Sequence, residues 1–205
     1  MEAKLYVVAA PSGGGKTSLI NALLEKDKQL RLSVSHTTRA PRPHEKDGQH
    51  YYFVSQERFS ELVAQHAFLE HAQVYDHCYG TGREQVQCQL DQGFDVMLDI
   101  DWQGAAQIRQ SFPNCCSIFI LPPSLEILRE RLSSRGQDSP EVIERRMKKA
   151  RSEISHAREF DYMIVNDDFQ LALEDLHSIV RRGKHSRPGQ EEISETLLAQ
   201  MLENE

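Results

Sequence analysis

The chain has 205 residues, of which 39% are hydrophobic and 27% are charged, and its formal net charge is −7. This composition is typical of an ordinary globular protein, and the length suits one domain. No segment has the apolar length of a membrane span, and an acidic chain is poorly suited to duplex phosphates, so we expect neither a membrane nor a nucleic acid as a partner.

The cysteines and the N-terminal residues predict a cytoplasmic protein. The four cysteines are Cys78, Cys88, Cys115 and Cys116, and their spacing fits neither a zinc site nor a disulfide framework. The first residues lack the basic segment and long apolar run of a signal peptide. Nine histidines are present, but none has the H-x-x-x-H spacing of a zinc site, so we expect scattered surface histidines.

The first predicted elements are a strand, a glycine loop and a helix. The run LYVVAA predicts a strand, and KTSLINALLEK has the apolar spacing of an amphipathic helix. Between them lies APSGGGKTS, which follows the pattern G-x-x-x-x-G-K-[ST] except that Ala10 stands at its first position. In such loops, backbone N–H groups surround phosphate oxygens, a lysine reaches the β- and γ-phosphates, and a Ser or Thr hydroxyl ligates Mg²⁺. The predicted residues of this nucleotide-phosphate site are Ala10, Pro11, Ser12, Gly13, Gly14, Gly15, Lys16, Thr17 and Ser18.

The next segment, from about Val34 to about Gly82, interrupts the alternation of strands and helices. It contains the turn sequence RAPRP, a strand or hairpin at HYYFVS, and a short helix near residues 57–65. It ends in YDHCYGTG, which we expect to be an aromatic, glycine-bearing loop. We interpret the segment as an inserted lobe.

Further strands and helices alternate after this lobe. REQVQCQLDQG predicts a helix stopped by Gly93, and FDVMLDI, SIFIL and YMIV predict strands. This order predicts a parallel sheet covered on both faces. The strand predicted at DVMLDID ends in Asp99 and Asp101, and a carboxylate at such a strand end often completes a magnesium shell. The alternative for Asp101 is a helix cap before WQGAAQI.

Residues 124–150 predict two helices joined by SSRGQDSP. Gly136 would end the first helix, Ser139 would cap the second and Pro140 would begin it. The segment carries seven basic residues: Arg129, Arg131, Arg135, Arg145, Arg146, Lys148 and Lys149. We expect either a lid over phosphates or a solvated helix pair with ion pairs such as Glu141 with Arg145. A last helix, near residues 191–202, is expected to be a packing element.

Together these motifs resemble the guanylate kinase family. The resemblance rests on SVSHTTRAPRP, GQHYYF, FLEHAQVYDHCYGTGREQV, LDIDWQG, IFILPPS, RGQDSPEVIERRM and IVNDD, and it spans Lys4 to about Arg182. It implies an α/β fold with a P-loop NTPase-type parallel sheet flanked by helices. It further implies a core of residues 1–33, 83–123 and 151–205, a GMP-binding lobe at 34–82 and a helical lid at 124–150. The implied reaction is Mg²⁺-assisted transfer of the γ-phosphoryl group from ATP to GMP, and also to dGMP; the oligomeric state stays open.

The resemblance also implies the residues of the site. Those at GMP are Ser35, Arg39, Arg42, Tyr51, Glu70, Tyr79, Thr81 and Asp101. A carboxylate at Glu70 matches the guanine N1 and N2 donors, and the hydroxyls of Ser35 and Thr81 suit the O6 acceptor. By spacing alone, Glu70 would be a surface carboxylate at a helix end.

The remaining implied roles concern ATP and the transferred group. The catalytic set is Lys16, Arg39, Arg131, Arg135 and Arg146. Thr17 and, through water, Asp99 are expected at Mg²⁺. Asn166 and Asp167 are expected to border the adenine, although Asn-Asp-Asp after a strand is also a common turn.

Two other functions stay open at this point. Guanylate-kinase-like domains also occur as non-catalytic peptide-binding modules, which typically lose the loop lysine or the lid arginines, whereas Lys16, Arg135 and Arg146 are present here. The second alternative is a P-loop kinase with another small acceptor, and the set of Glu70, Ser35 and Thr81 favours guanine over it.

Overall fold

The computed structural model describes residues 3–134 and 140–203. Its strands are β1 (Leu5–Ala9), β2 (Leu30–Leu32), β3 (His36–Thr37), β4 (Tyr52–Phe53), β5 (Phe68–Val74), β6 (His77–Gly82), β7 (Asp95–Asp99), β8 (Cys116–Leu121) and β9 (Tyr162–Val165). Its helices are α1 (Lys16–Lys26), α2 (Gln56–Ala64), α3 (Arg83–Asp91), α4 (Trp102–Ser111), α5 (Leu125–Ser133), α6 (Pro140–Ile154), α7 (Phe169–Arg182) and α8 (Gln190–Glu203), with a short 3₁₀ turn at Ala157–Glu159.

Five strands form the predicted parallel sheet, in the order β2-β7-β1-β8-β9. Strand β2 pairs in parallel with β7, and β8 pairs in parallel with β9. Every residue of β1 is buried, as expected of a central strand with both faces covered. The predicted α/β fold is therefore confirmed.

A separate four-stranded mixed sheet has the order β4-β3-β6-β5. Strands β5 and β6 form an antiparallel hairpin in which Val74 pairs with His77, so Tyr75 and Asp76 make a two-residue turn. The expectation that YDHCYGTG is a loop is therefore wrong. Its glycines suggested a turn, but Gly80 lies buried in β6. A Cβ at Gly80 would lie 3.0 Å from the Phe68 ring, so close packing explains this glycine.

The chain divides into two compact units. The first contains Lys28–Cys116 with the beginning of β1, and in it α4 packs on β5 and α3 packs on β7. The second contains Val8–Asp27 and the chain from Ser117 onward, and in it α1 packs on α7 and α5 packs on α6. Helix α8 packs on β9 and buries Leu198, so its predicted packing role is confirmed.

Several predicted helix boundaries are confirmed. Helix α1 begins at Lys16, directly after the glycine loop, and α6 begins at Pro140. Helix α3 stops before Gly93, which has the positive φ of 84° that glycine tolerates best. Gly136, Ser139 and Arg135 lie outside the described residues.

Across residues 3–134 and 140–203, no helix combines the length and the apolar character needed to cross a bilayer.

Candidate functional site

The glycine loop connects β1 to α1 in the second unit. Gly13 and Gly15 have φ values of 90° and 91°, which side chains with a Cβ rarely adopt. The N–H of Gly14 donates to the carbonyl of Pro11 at 2.9 Å, which closes the turn. Because α1 begins at Lys16, directly after Gly15, the positive end of its dipole and its first N–H groups lie at the loop.

Leucines of α5 pack against this loop. A Cβ at Gly13 would lie 3.1 Å from methyl carbons of Leu128 and Leu132, closer than ordinary side chains pack. Gly13 is therefore required by its φ angle and by the space available. The departure at Ala10 leaves this glycine geometry intact.

Two distant side chains hydrogen-bond to the backbone of the loop. Asn166 Nδ2 donates to the Gly14 carbonyl at 2.8 Å, and Glu153 Oε2 accepts from the Ser12 N–H at 3.2 Å. Both side chains are buried, with 5% and 6% of their residue surfaces exposed. The loop is thus fixed from outside as well as by its own turn.

A cavity of about 360 Å³ borders the loop. Its lining residues are Gly13, Gly15, Ser18, Arg131, Ser134, Asn166, Asp167 and Phe169. Within the described part of the chain, the buried Nη1 of Arg131 has no hydrogen-bond partner, while its Nη2 donates to the Asn166 carbonyl at 3.0 Å. The structure therefore brings Arg131, Asn166 and Asp167 to the glycine loop, whereas Arg146 lies half-buried on α6.

Two other basic residues of this helix pair form ion pairs. Arg129 on α5 pairs with Glu144 on α6 through both guanidinium nitrogens, and Lys149 lies 3.8 Å from Glu153. The prediction of a solvated, ion-paired helix pair holds for Arg129, whereas Lys149 pairs with a buried carboxylate.

The first unit contains a buried carboxylate–hydroxyl pair. Glu70 on β5 is 3% exposed, and Thr81 on β6 donates its hydroxyl to Glu70 Oε1 at 2.5 Å. The expectation that Glu70 ends a helix at the surface is therefore wrong, because it lies within a strand against α4. Ser35 is also buried, and its carbonyl accepts from the Tyr52 N–H.

Glu70 is closely packed against the backbone of α4. A Cβ on Gly104 would collide with Glu70 Oε2 and would lie 3.0 Å from Glu70 Cδ. Asp101 caps this helix by accepting from the Gly104 N–H at 2.9 Å, so the helix-cap interpretation of Asp101 is confirmed. Its second oxygen accepts from Gln103 Nε2 at 3.1 Å.

Arg39 is fixed by a carboxylate that the sequence reasoning did not single out. Arg39 Nη2 lies 2.7 and 2.9 Å from the two oxygens of Glu45, and the Arg42 N–H donates to the same carboxylate at 2.8 Å. Partial burial favours the neutral acid, but these hydrogen bonds outweigh it and lower the pKa of Glu45. Glu45 therefore stays ionised and holds a guanidinium that lies 5.4 Å from the Tyr51 ring centre.

Tyr51 and Tyr79 lie together beside this arginine. Their ring centres are 5.9 Å apart in an edge-to-face arrangement. Burial, with a further contribution from the Asp99 carboxylate, raises the pKa of Tyr51 to about 12. The Tyr51 hydroxyl is therefore protonated at neutral pH and able to donate to an anion.

Carboxylates, histidines and cysteines do not gather into a metal site in residues 3–134 and 140–203, where no group of three or more could hold an ion. Asp99 is half-buried at the end of β7, and Thr17 is exposed in the first turn of α1. The four cysteines are free thiols.

The residues that sequence reasoning missed act through other residues. Glu45, Glu153 and Gly104 contact Arg39, the glycine loop and Glu70 respectively. The available signals were weak: Glu45 follows the RAPRP turn closely, and Glu153 is four residues beyond Lys149. Neither spacing distinguishes a site carboxylate from a solvated one.

A glycine loop between the buried β1 strand and α1 is the arrangement by which parallel-sheet proteins hold nucleotide phosphates. The chain is accordingly a P-loop nucleotide-binding protein, with a carboxylate–hydroxyl pair in its second sheet and an arginine site in the segment between β3 and β4.

Comparison with known proteins narrows this class. The guanylate kinase family profile matches residues 2–183. The chain is 57% identical to the guanylate kinase of Alkalilimnicola ehrlichii over 98% of this chain and 100% of that protein. It is 53% identical to the guanylate kinase of Nitrosococcus oceani over 99% of this chain and 100% of that protein. The crystal structure of guanylate kinase from Anaplasma phagocytophilum has a TM-score of 0.73 and 34% identity, covering 99% and 97% of the two chains. The chain belongs to the guanylate kinase family.

Proposed function

We propose that this chain transfers the γ-phosphoryl group of ATP to GMP, giving ADP and GDP, within purine nucleotide metabolism. The observation that carries the choice of acceptor is the buried Glu70–Thr81 pair, because it presents a carboxylate and a hydroxyl in one rigid position. The family relationship supports the same reaction. The reducing conditions of the cytoplasm suit the four free cysteines, so we assign the reaction to that compartment.

Glu70 is well suited to guanine and poorly suited to adenine. Guanine offers N–H donors at N1 and N2, which a carboxylate accepts, while the hydroxyl of Ser35 can donate to O6. The Thr81 hydroxyl donates to Glu70, so we assign it to holding that carboxylate at the base. Adenine has an acceptor at N1, which would face the carboxylate without a proton between them. A site built on such hydrogen bonds can discriminate by about 10⁴ or more.

We assign the GMP phosphate to the arginine site between β3 and β4. Arg39 and Arg42 supply positive charge, and Tyr51 and Tyr79 supply hydroxyl donors. A guanidinium offers two parallel N–H groups that match phosphate oxygens, so it orients the anion as well as neutralising it. Asp101 is assigned to the nucleoside of GMP.

The glycine loop holds the ATP phosphates in this proposal. The Lys16 ammonium neutralises the β- and γ-phosphates, and Arg131 contributes the buried Nη1 that lacks a protein partner within the described residues. Arg146 and Arg135 are assigned to the lid, residues 124–150, and Asp167 to the border of the adenine.

Magnesium is the cation we expect with ATP. Thr17 and Asp99 offer only oxygen atoms as ligands, which Mg²⁺ prefers. Two protein ligands are enough, because Mg²⁺ usually completes its coordination with water molecules and phosphate oxygens of the nucleotide. When bound, the ion would neutralise phosphate charge. The residues that would hold it are Thr17 directly and Asp99 through water.

The reaction needs no protein base. A GMP phosphate oxygen is already ionised at neutral pH, so catalysis consists of alignment and charge neutralisation during in-line transfer. Lys16, Arg39 and the lid arginines supply that charge. Closure of the lobe, residues 34–82, and of the lid would keep water from the γ-phosphate.

Coupled ADP release tests the proposal. ATP and Mg²⁺ are offered with GMP, dGMP, AMP, UMP or dTMP in separate assays. We expect rapid turnover with GMP, slower or similar turnover with dGMP, and little with the others. Equal rates with AMP and GMP would contradict the guanine assignment, and no transfer to any acceptor would favour a non-catalytic binding module.

A further inference from the structure

Asn166 occupies a position that suits control of the glycine loop better than recognition of a base. It follows β9 directly, and its own N–H donates to the Leu121 carbonyl at 2.8 Å, which continues the parallel sheet pairing. Its residue surface is 5% exposed, and its Nδ2 is used in a 2.8 Å hydrogen bond to the Gly14 carbonyl. Its position is therefore set by the sheet, and its amide group is turned to the loop.

The hydrogen bond to Gly14 determines the orientation of one peptide group. The carbonyl of Gly14 and the N–H of Gly15 belong to the same planar trans peptide, so they point in opposite directions. When Asn166 holds the carbonyl, the Gly15 N–H is directed away from Asn166. Backbone N–H groups are the donors that such a loop offers to phosphate oxygens, so the orientation of this peptide affects phosphate binding.

Gly15 and Asn166 fit each other sterically. A Cβ on Gly15 would collide with Asn166 Nδ2 and lie 3.5 Å from Asn166 Cγ. The φ of 91° at Gly15 disfavours a side chain independently. The Asn166 amide thus fills the space that a side chain at Gly15 would need. The loop pattern specifies glycine at this position but does not specify the residue that faces it.

Arg131 fixes Asn166 in turn. Its Nη2 donates to the Asn166 carbonyl at 3.0 Å from helix α5. The contacts run from α5 through Asn166 to the peptide between Gly14 and Gly15. We propose that Asn166 is a positioning residue for the phosphate loop, held by Arg131, rather than a reader of the adenine ring; this inference rests on the proposed use of the loop for ATP.

The test uses Asn166→Ala and Asn166→Asp, with Asn114→Ala as the matched control because Asn114 is exposed in a turn. Asn166→Asp keeps the shape but places a carboxylate oxygen against the Gly14 carbonyl. Binding of magnesium tripolyphosphate, which has no base, is measured by calorimetry. Steady-state kinetics with GMP are measured with ATP and with GTP as donors, and unfolding is followed in urea.

We expect both Asn166 variants to bind tripolyphosphate about tenfold or more weakly, as expected when a buried acceptor loses its donor. Their kcat/KM should fall by the same factor with ATP and with GTP, so the preference between the two donors is unchanged. Asn114→Ala should match the wild type.

Unchanged tripolyphosphate binding with an altered ATP-to-GTP preference would overturn the inference, because that pattern identifies a base reader. Lower stability with unchanged binding and kinetics would also overturn it. If Asn166→Ala does not fold, Asn166→Asp decides by the same measurements. A wild type that binds tripolyphosphate but does not phosphorylate GMP would instead refute the proposed function.

Discussion

The packing of Gly104 against Glu70 predicts that one methyl group will weaken GMP binding. In most helices, Gly→Ala is stabilising by up to about 1 kcal/mol. At Gly104 the new Cβ would collide with Glu70 Oε2 and lie 3.0 Å from Glu70 Cδ. Because carbon atoms pack at about 3.5 Å or more, Glu70 Cδ would have to retreat by roughly 0.5 Å, and Oε2, which overlaps the Cβ more deeply, would have to move further.

Movement of the Glu70 carboxylate would weaken its proposed hydrogen bonds to guanine. Glu70 already holds a 2.5 Å hydrogen bond from Thr81, so it cannot move without disturbing the pair. Loss of one hydrogen bond to a charged acceptor costs about 1.5–3 kcal/mol, or about 10- to 150-fold in affinity. We therefore expect Gly104→Ala to raise the KM for GMP at least tenfold, with the KM for ATP unchanged, in the coupled ADP assay.

Gly82→Ala is the matched control for this variant. Gly82 has an ordinary φ of −67°, and a Cβ there would lie 3.6 Å from His36, which is normal contact. It should leave the KM for GMP within about twofold of the wild type, since nothing needs to move. A Gly104→Ala protein that folds normally and keeps the wild-type KM for GMP would refute the assignment of Glu70 to the guanine.

Other variants separate catalysis, binding and stability. Lys16→Ala should reduce kcat by about 10³ or more with unchanged urea unfolding, because the loop lysine neutralises transferring phosphate; a mild loss would contradict its role. Ala10→Gly should change kcat and KM little, and a large change would show that Ala10 matters. Glu45→Gln should raise the KM for GMP about tenfold at pH 7 but not the KM for ATP, since it loosens Arg39. The pKa of Glu45 lies below its usual 4.5, so the support that ionised Glu45 gives to Arg39 is complete above pH 4.5. That support is lost only as the pH falls through the lowered pKa, and a rise in the KM for GMP that begins well above pH 4.5 would exclude Glu45 as its cause. Asp175→Ala should lower the free energy of unfolding in urea by about 1.5–3 kcal/mol with normal kinetics, because the hydrogen bond from the Ser186 N–H to a 1% exposed carboxylate is lost; a change under 1 kcal/mol would contradict this.

The sequence predicted elements whose signal is local. Strand β1, the glycine loop and α1 follow from adjacent residues, and β7, β8 and β9 each follow from a continuous apolar run. Strand β6 could not be predicted in this way. Gly80 is explained by the ring of Phe68, which only the folded hairpin brings against it.

The contacts that orient the site depend on residues far apart in the chain. Asn166 and Gly14 are 152 positions apart, and Thr81 meets Glu70 only because β5 and β6 pair in one register. Sequence spacing made Glu70 resemble a surface carboxylate, while the family resemblance predicted a residue at the guanine. The roles of Glu45 and Gly104 emerge only from distances in the folded chain.

The most direct test of the central claim follows the transferred phosphoryl group itself. ATP labelled with ³²P at the γ position is incubated with the protein, Mg²⁺ and GMP, and the products are separated by chromatography that resolves GDP from ADP. We predict that the label appears in GDP at the rate at which ADP forms, and that equimolar AMP receives almost none. Label released as inorganic phosphate, or shared equally between GDP and ADP when both acceptors are present, would contradict the account.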